Sequence, residues 1–421
     1  MAAATTLNGY TGSAASSAAR ATAYSLSVII PAYNEEDGIA CMLDRVLSIK
    51  PKLEAMNIDG PEVIVVDDGS RDRTVEIVKQ YAAVRLIEHE KNSGYGGALK
   101  TGFANAQGNL LSFLDADGTY PPEHFPELCQ AILQGADLVI GTRMAGAKSE
   151  MPRTRRLGNF LFANLVSLIG NRRVTDSASG MRVFRSELLE QMYPLPDGLN
   201  FTPVMSTRAI HENLKMVEVP IPYSERVGRS KLSVVQDGMR FFNSIVWTAL
   251  SYNPVRILGL IGLIGIGFAA LVVLALIVMR ANGVTQLGPW GIFAVFGALV
   301  LGVAGVSLFS LGAMFNYLVA LFQKKPVKQG LFGKPIFNPP LERHFWWLGL
   351  LAGGVGLALA IAALILTFNG WPTDRLWFWL MVSALAILIG VQLIVAWSIM
   401  RVLDELSQRE IRQAADMQSK R

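Results

Sequence analysis

Four stretches in the C-terminal half of the chain carry no charge, at about 257–279, 290–312, 345–368 and 376–400. Each is long enough to cross a bilayer as a helix. Inside hydrocarbon every backbone N–H and C=O must find its partner within the protein, and a continuous apolar run does so only as a helix. Four spanning helices are therefore expected, in preference to four buried helices of a soluble protein. The second run continues uncharged to Phe322, and its extra turns fit the interface. Lys324, Lys325, Lys328, Lys334 and Arg343 crowd the segment between runs two and three, against the single acid Glu342. The loops at 280–289 and 369–375 carry one basic residue each. Basic loops stay on the cytoplasmic side. Segment 323–344 is thus expected in the cytoplasm, and four spans put both termini there too.

What precedes the first span is different in kind. Of 421 residues 17% are charged and 51% apolar, yet most acids fall between 24 and 235, which reads as a soluble domain. The net charge of +5 does not mark a nucleic-acid binder, because the basic residues are scattered or sit beside apolar spans, where a bilayer explains them. Residues 234–252 set Val235, Met239, Phe242, Ile245, Val246 and Trp247 among Asp237 and Arg240, the pattern of a helix lying in the membrane interface. Residues 1–23 are rich in Ala, Ser and Thr, with Arg20 the only charge, and lack the apolar core of a signal peptide. The expected plan is a disordered leader (1–23), a soluble catalytic domain (24–233), an interfacial helix (234–252), a four-span membrane domain (253–400) and a cytoplasmic tail (401–421). Association into a homo-oligomer stays open. Cys41 and Cys129 fall in predicted helices without metal-ligand spacing, and are expected to be buried thiols in a reducing compartment.

Within the soluble part, strands and helices alternate. Strands are predicted at about 25–30, 62–66, 84–87, 110–114, 137–143 and 216–221, with helices at about 38–50, 74–81 and 98–106. The run Val63-Ile64-Val65-Val66 is continuously apolar, as in a parallel strand buried on both faces. Pro220 puts the last strand at an edge. The pattern defines an α/β fold with a doubly wound, mostly parallel sheet, whose ligands sit at the carboxyl ends of strands. No Gly-x-Gly-x-x-Gly follows the first strand, which argues against a dinucleotide fold.

The strand ends are acidic. Leu110–Leu114 stops on Asp115-Ala116-Asp117-Gly118. Two carboxylates one residue apart suit Mg²⁺ or Mn²⁺ beside a phosphate, although the same spacing also serves a helix cap or a solvated turn. Gly94, Gly96 and Gly97 either let backbone approach a phosphate or form a plain loop. Arg143, Arg153, Arg155, Arg156, Arg172 and Arg173, with the basic loop 226–231, make either a solvated face or a site for a lipid head group or diphosphate.

Taken in order, Val28-Ile29-Ile30-Pro31-Ala32-Tyr33-Asn34-Glu35-Glu36, Val65-Val66-Asp67-Asp68-Gly69-Ser70 and Asp115-Ala116-Asp117 resemble the family 2 glycosyltransferases of the GT-A type. Ser179-Gly180-Met181-Arg182 and Arg226-Val227-Gly228-Arg229-Ser230-Lys231-Leu232 look like the polyprenyl-phosphate branch, the dolichol-phosphate mannose synthase-like enzymes. The resemblance covers about 25–235 and implies a GT-A domain. It implies that Pro31, Tyr33, Glu35, Asp67 and Asp68 hold the nucleotide of a nucleotide sugar such as GDP-mannose or UDP-glucose. Asp115 and Asp117 would lie at the diphosphate as ligands of Mg²⁺ or Mn²⁺, Asp117 the surer of the two. Asp115, Asp117, Arg143 and Arg226 would serve catalysis. Ser179, Arg182, Arg226 and Lys231 would face the diphosphate and the lipid phosphate. One departure stands out: many relatives carry Gln two places after the second Asp, and here Thr119 takes that place.

The implied reaction is inverting, metal-dependent transfer of a hexose to a polyprenyl phosphate at the cytoplasmic membrane face. A phosphate monoester has its second pKa near ~6, so it is a nucleophile at neutral pH without a general base. Hydroxyl-acceptor relatives carry Glu-Asp after the metal motif, and polysaccharide synthases carry Gln-x-x-Arg-Trp; neither occurs after residue 120. The competing expectations are a polysaccharide or glycolipid synthase, and an inactive membrane scaffold. The second sits poorly with two retained aspartates.

Overall fold

The structure is a computed structural model, and it describes residues 24–144, 149–226, 234–284, 287–323, 327, 330–331 and 337–418. The expected leader 1–23 and Lys231 lie outside the described residues.

Seven strands form one sheet: β1 (Tyr24–Ala32), β2 (Ile58–Asp67), β3 (Val84–Glu88), β4 (Leu110–Phe113), β5 (Leu138–Thr142), β6 (Arg182–Arg185) and β7 (Met216–Pro220). Their order is β3-β2-β1-β4-β6-β5-β7. β6 runs antiparallel to both neighbours, and every other pairing is parallel. β7 is at an edge, where Pro220 costs no ladder bond on its outer side.

Alternate residues of the central strands enter opposite layers, which is why those strands are apolar throughout. Val28 and Ile30 of β1, with Val63 and Val65 of β2, bury beneath α1 (Ile39–Leu47) and α5 (Phe125–Leu133). Ile29, Ile64 and Val66 bury on the other face. There they meet α4 (Tyr95–Asn105), through Leu99 and Phe103, and α8 (Phe201–His211), through Phe201 and Met205. The shorter helices are α2 (Lys50–Glu54), α3 (Thr74–Val78) and α7 (Leu189–Met192).

Three sequence expectations change here. The helix predicted from residue 98 starts at Tyr95, so Gly96 and Gly97 are helical. A Cβ at Gly96 would lie 2.1 Å from the Pro196 carbonyl oxygen, so this glycine admits a neighbouring loop rather than a phosphate. Cys129 is buried, but Cys41 is exposed on α1. The basic segment at 153–156 is the first turn of an 18-residue helix, α6 (Arg153–Gly170), that the charge pattern concealed.

The amphipathic helix α9 (Val234–Leu250) buries Ile245 and Ala249 against Val166 and Ile169 of α6 and Ile210 of α8. Its opposite face leaves Val235 82% and Trp247 70% exposed. Next come α10 (Pro254–Ala281), α11 (Pro289–Gln323), α12 (Phe345–Phe368) and α13 (Thr373–Gln418). Among the described residues four helices are long and apolar enough to cross a membrane. α13 continues unbroken through most of the expected tail. α10 and α11 pair closely, as do α12 and α13. A Cβ on Gly262 would stand 2.5 Å from the Gly305 carbonyl oxygen, and one on Gly349 would stand 2.8 Å from that of Gly390. Small residues let apolar helices pack where no hydrophobic effect drives them together. The turn from α9 to α10 is tied to α11: Asn316 Nδ2 donates to Asn253 Oδ1 at 3.1 Å, and the Val255 N–H donates to Asn316 Oδ1 at 3.1 Å.

Candidate active site

A cleft of about 510 Å³ opens at the carboxyl ends of β1, β2 and β4 and runs to α6 and α9. Pro31, Tyr33 and Glu35 line it after β1, Asp68 after β2, and Asp115 and Asp117 after β4. Arg143 and Arg226 close its side. Eight of the residues singled out from sequence therefore meet in one cavity. Asp67, Ser179 and Arg182 are not among its lining residues.

The turns that carry these groups are held by their own carboxylates. Asp67 accepts the Gly69 and Ser70 N–H groups at 3.2 and 3.0 Å through Oδ2, and its Oδ1 is buried without a hydrogen bond. Asp68 Oδ1 accepts from the Ser93 N–H and hydroxyl at 2.8 Å each and lies 2.9 Å from His89 Nδ1. Its Oδ2 accepts the Gly94 N–H at 2.8 Å. Asp68 thus fastens the loop before α4 while lining the cleft. Gly94 takes φ +88°, a left-handed conformation that glycine alone adopts without strain.

Asp115 and Asp117 follow a strand end fixed by the Leu114 N–H donating to the Ile29 carbonyl at 3.3 Å. Burial, and then the neighbouring charge of Asp117, push the Asp115 carboxyl up to about 7, against the pull of a hydrogen bond from Tyr95. Thr119 does not reach into the cleft. Its hydroxyl donates to Asp117 Oδ1 at 2.6 Å and orients that carboxylate from behind.

Arg143 makes a bidentate pair with the fully buried Asp176, at 2.7 Å through both Nε and Nη2, and stacks between Tyr120 and Tyr223. Burial alone would lower its pKa, but Asp176 outweighs it and the guanidinium stays charged. Arg226 Nη2 donates to Glu35 Oε1 at 2.8 Å, and its Nη1 lies 3.4 Å from Asp117 Oδ2. It bridges the turn after β1 and the turn after β4.

Ser179 and Arg182, expected to face the diphosphate and the lipid phosphate, do not line the cleft. Both are fully buried. Ser179 donates to the Gly141 carbonyl, and Arg182 donates to the carbonyls of Ser179 and Ser177 at 3.0 and 2.8 Å. Burial lowers the Arg182 pKa to about 10. Their motif shapes the wall behind Asp115, with Gly180 against its carboxylate and Arg182 Nη1 buried without a hydrogen-bond partner.

At the far end of the cleft stand residues the sequence did not single out. Asn159 of α6 is 6% exposed, lines the cleft, and has neither Nδ2 nor Oδ1 hydrogen-bonded. Gly158 of α6 and Gly238 of α9 flank it, with Phe162 and Phe241 in edge-to-face contact at 5.8 Å. Leu157, Phe160, Leu161 and Leu168 recur at helical spacing, the signal that could have revealed α6.

A divalent metal fits the Asp115–Asp117 pair. Two hard carboxylates share a cleft in which burial and the neighbouring Asp117 penalise the charge of Asp115, and a cation would relieve both. Among the described residues no three His, Cys, Asp or Glu side chains converge to hold a metal without a ligand. The remaining coordination would come from a bound diphosphate and water.

A mixed α/β sheet with an acidic cleft at its strand ends is joined to four helices long and apolar enough to cross a membrane, which defines the class as an α/β enzyme with a membrane-length helical domain. Residues 27–193 match glycosyl transferase family 2, and residues 254–414 match a domain of unknown function (DUF8752). A dolichyl-phosphate hexose transferase of Haloferax volcanii is 35% identical over 225 residues, 53% of this chain and 94% of that protein. A low-salt glycan biosynthesis hexosyltransferase of the same organism is 33% identical over 68% of this chain and 67% of its own. An undecaprenyl-phosphate 4-deoxy-4-formamido-L-arabinose transferase of Edwardsiella ictaluri is 28% identical over 70% of this chain and 89% of its own. The chain belongs to glycosyl transferase family 2, and it is a glycosyltransferase.

Proposed function

We propose that this enzyme transfers a hexose, mannose or glucose, from a nucleotide sugar to a polyprenyl phosphate at the cytoplasmic face of a membrane, with inversion at the anomeric carbon. The observation that carries the reading is the continuity of the cleft, from the Asp115–Asp117 pair to a groove lined by α6 and by α9, the helix that leads into the first membrane-length helix. A donor entering from water and an acceptor entering from lipid would meet along it. Relatives named for dolichyl-phosphate and undecaprenyl-phosphate transfer support the same acceptor class.

In this reading Pro31, Tyr33 and Glu35 hold the nucleotide. Asp115 and Asp117 would hold Mg²⁺ or Mn²⁺ at the donor diphosphate, where the ion would supply charge stabilisation to the departing nucleoside diphosphate. A phosphate oxygen of the acceptor forms the new bond to the anomeric carbon from the face opposite the diphosphate. The old carbon–oxygen bond breaks, and its electron pair leaves with the nucleoside diphosphate. The acceptor is already ionised at neutral pH, so no side chain need remove a proton. What the protein must supply is positioning and offset of phosphate–phosphate repulsion. Arg226 and Arg143 provide charge in the cleft, and Asn159 offers a polar contact at the acceptor end.

The test is a donor screen with the full-length protein in vesicles, offering GDP-mannose and UDP-glucose with a short polyprenyl phosphate and Mg²⁺ or Mn²⁺. Lipid-linked monosaccharide of inverted configuration is expected. Transfer to a glycan hydroxyl but to no lipid phosphate would replace this reading with the polysaccharide or glycolipid synthase. For orientation, reporters after Arg421 and at Asn282 should lie on opposite sides of the membrane, the first in the cytoplasm.

A further inference from the structure

We propose that Tyr95 is a positioning residue for glycosyl transfer, and that its hydroxyl fixes the Asp115 carboxylate toward the donor diphosphate. The inference rests on the reading of Asp115 and Asp117 as the metal–diphosphate carboxylates.

Tyr95 Oη donates to Asp115 Oδ1 at 2.8 Å. On the other side of the carboxylate, a Cβ at Gly180 would stand 2.9 Å from both carboxylate oxygens. Asp115 is therefore clamped between a hydroxyl and a wall with no room to spare. A carboxylate with one oxygen committed to a donor leaves the other to present to a ligand. Asp117 has the parallel arrangement, with the Thr119 hydroxyl as its donor.

The clamp is built into the backbone. Tyr95 is the first residue of α4. The Gly94 N–H before it donates to Asp68 Oδ2 at 2.8 Å, and the Gly96 and Gly97 N–H groups after it donate to the Asp197 carbonyl at 2.6 and 3.1 Å. Asp197 is in turn ion-paired with Lys100 of the same helix. Two independent anchors thus set where the phenol points. A residue that served only to fill space would need neither the hydroxyl nor this alignment. The ring does touch the core below, and Phe keeps that contact.

Tyr95→Phe in the full-length protein separates the two roles. One readout needs no turnover: Mn²⁺-dependent binding of UDP and GDP by calorimetry. The Mn²⁺ concentration for half-maximal binding of the nucleotide that wild type binds is expected to rise roughly 10-fold, as for loss of one hydrogen bond to a charged group. Steady-state kcat should fall by roughly 10- to 100-fold, while KM for polyprenyl phosphate and the melting temperature stay at wild-type values. Unchanged Mn²⁺ dependence and kcat would overturn the proposal. So would a loss of activity matched by a lower melting temperature and a raised lipid KM, which is the packing account. Asp117→Ala, run alongside, guards the underlying reading. If it too binds Mn²⁺ and nucleotide normally, the carboxylate assignment itself fails; if it does not while Tyr95→Phe does, only Tyr95 loses its role.

Discussion

The two ends of the cleft are built on opposite plans. At the strand end nearly every polar side chain already has a partner: Asp68 is bonded to the 93–94 loop, Asp115 to Tyr95, Asp117 to Thr119, and Arg143 to Asp176. At the helix end Asn159 has both polar atoms buried and unbonded, and Gly158 looks into open space. The strand end is preorganised before any ligand arrives, as electrostatic catalysis requires. Beside the paired Asp237 and Arg240, the helix end keeps room and an amide with unspent hydrogen-bonding capacity, which under the proposed function would meet the lipid phosphate. Substitutions at the strand end should therefore act on chemistry and stability, and those at the helix end on acceptor binding.

The largest effect is expected from Asp117→Ala. It removes a carboxylate at the cleft surface without opening a core, so the fold should persist while transfer falls by roughly 1000-fold or more. Near-normal turnover at ordinary Mg²⁺ or Mn²⁺ would end the metal assignment. Asp176→Asn should come next, through stability. It leaves the Arg143 charge without its buried partner, at a cost of about 3 kcal/mol and a fall in melting temperature on the order of 10 °C. A shift of a degree or less would mean that water reaches Arg143 and that this wall is less rigid than drawn.

Arg226→Lys tests the seam between the two ends. The guanidinium spans Glu35 and Asp117, and an ammonium cannot serve both. Transfer is expected to fall roughly 10-fold or more, with membrane association unchanged, because the charge is kept. If kinetics at saturating donor and varied lipid are unaltered, the Arg226 bridge between Glu35 and Asp117 serves the fold alone.

The strand end was readable from sequence because its parts are local. A strand and the turn that ends it are contiguous, so Asp115 and Asp117, Asp68, and Pro31 through Glu35 announce themselves as motifs. Even there two kinds of fact were hidden. Tyr95 joins the site only because α4 starts three residues earlier than its glycines suggested, and the reason is a loop 100 residues on that needs Gly96 to come close. Ser179 and Arg182 sit in a motif that reads as phosphate-binding, yet tertiary packing turns both inward. The helix end was scarcely readable at all. α6 and α9 are separated by about 65 residues of chain and form a groove only once the sheet has folded, and the arginines of α6 masked the apolar stripe of its next turns. The membrane spans were the clearest part, since hydrocarbon leaves the backbone a single choice.

The smallest predicted effect is the most discriminating. Asn159→Ala removes two polar atoms that are buried without hydrogen bonds. An unsatisfied buried group costs about 1–3 kcal/mol, so deleting it should leave stability unchanged or slightly raised rather than lowered. If the amide is held for the acceptor, KM for polyprenyl phosphate should rise a few-fold, on the order of one modest hydrogen bond, while kcat and donor KM stay put. The two signs oppose each other, a pattern neither a structural residue nor a catalytic one produces. A structural Asn159 would lower the melting temperature when removed, and a catalytic one would lower kcat. Finding either would erase the contrast between the ends and place Asn159 with the preorganised groups at the strand end.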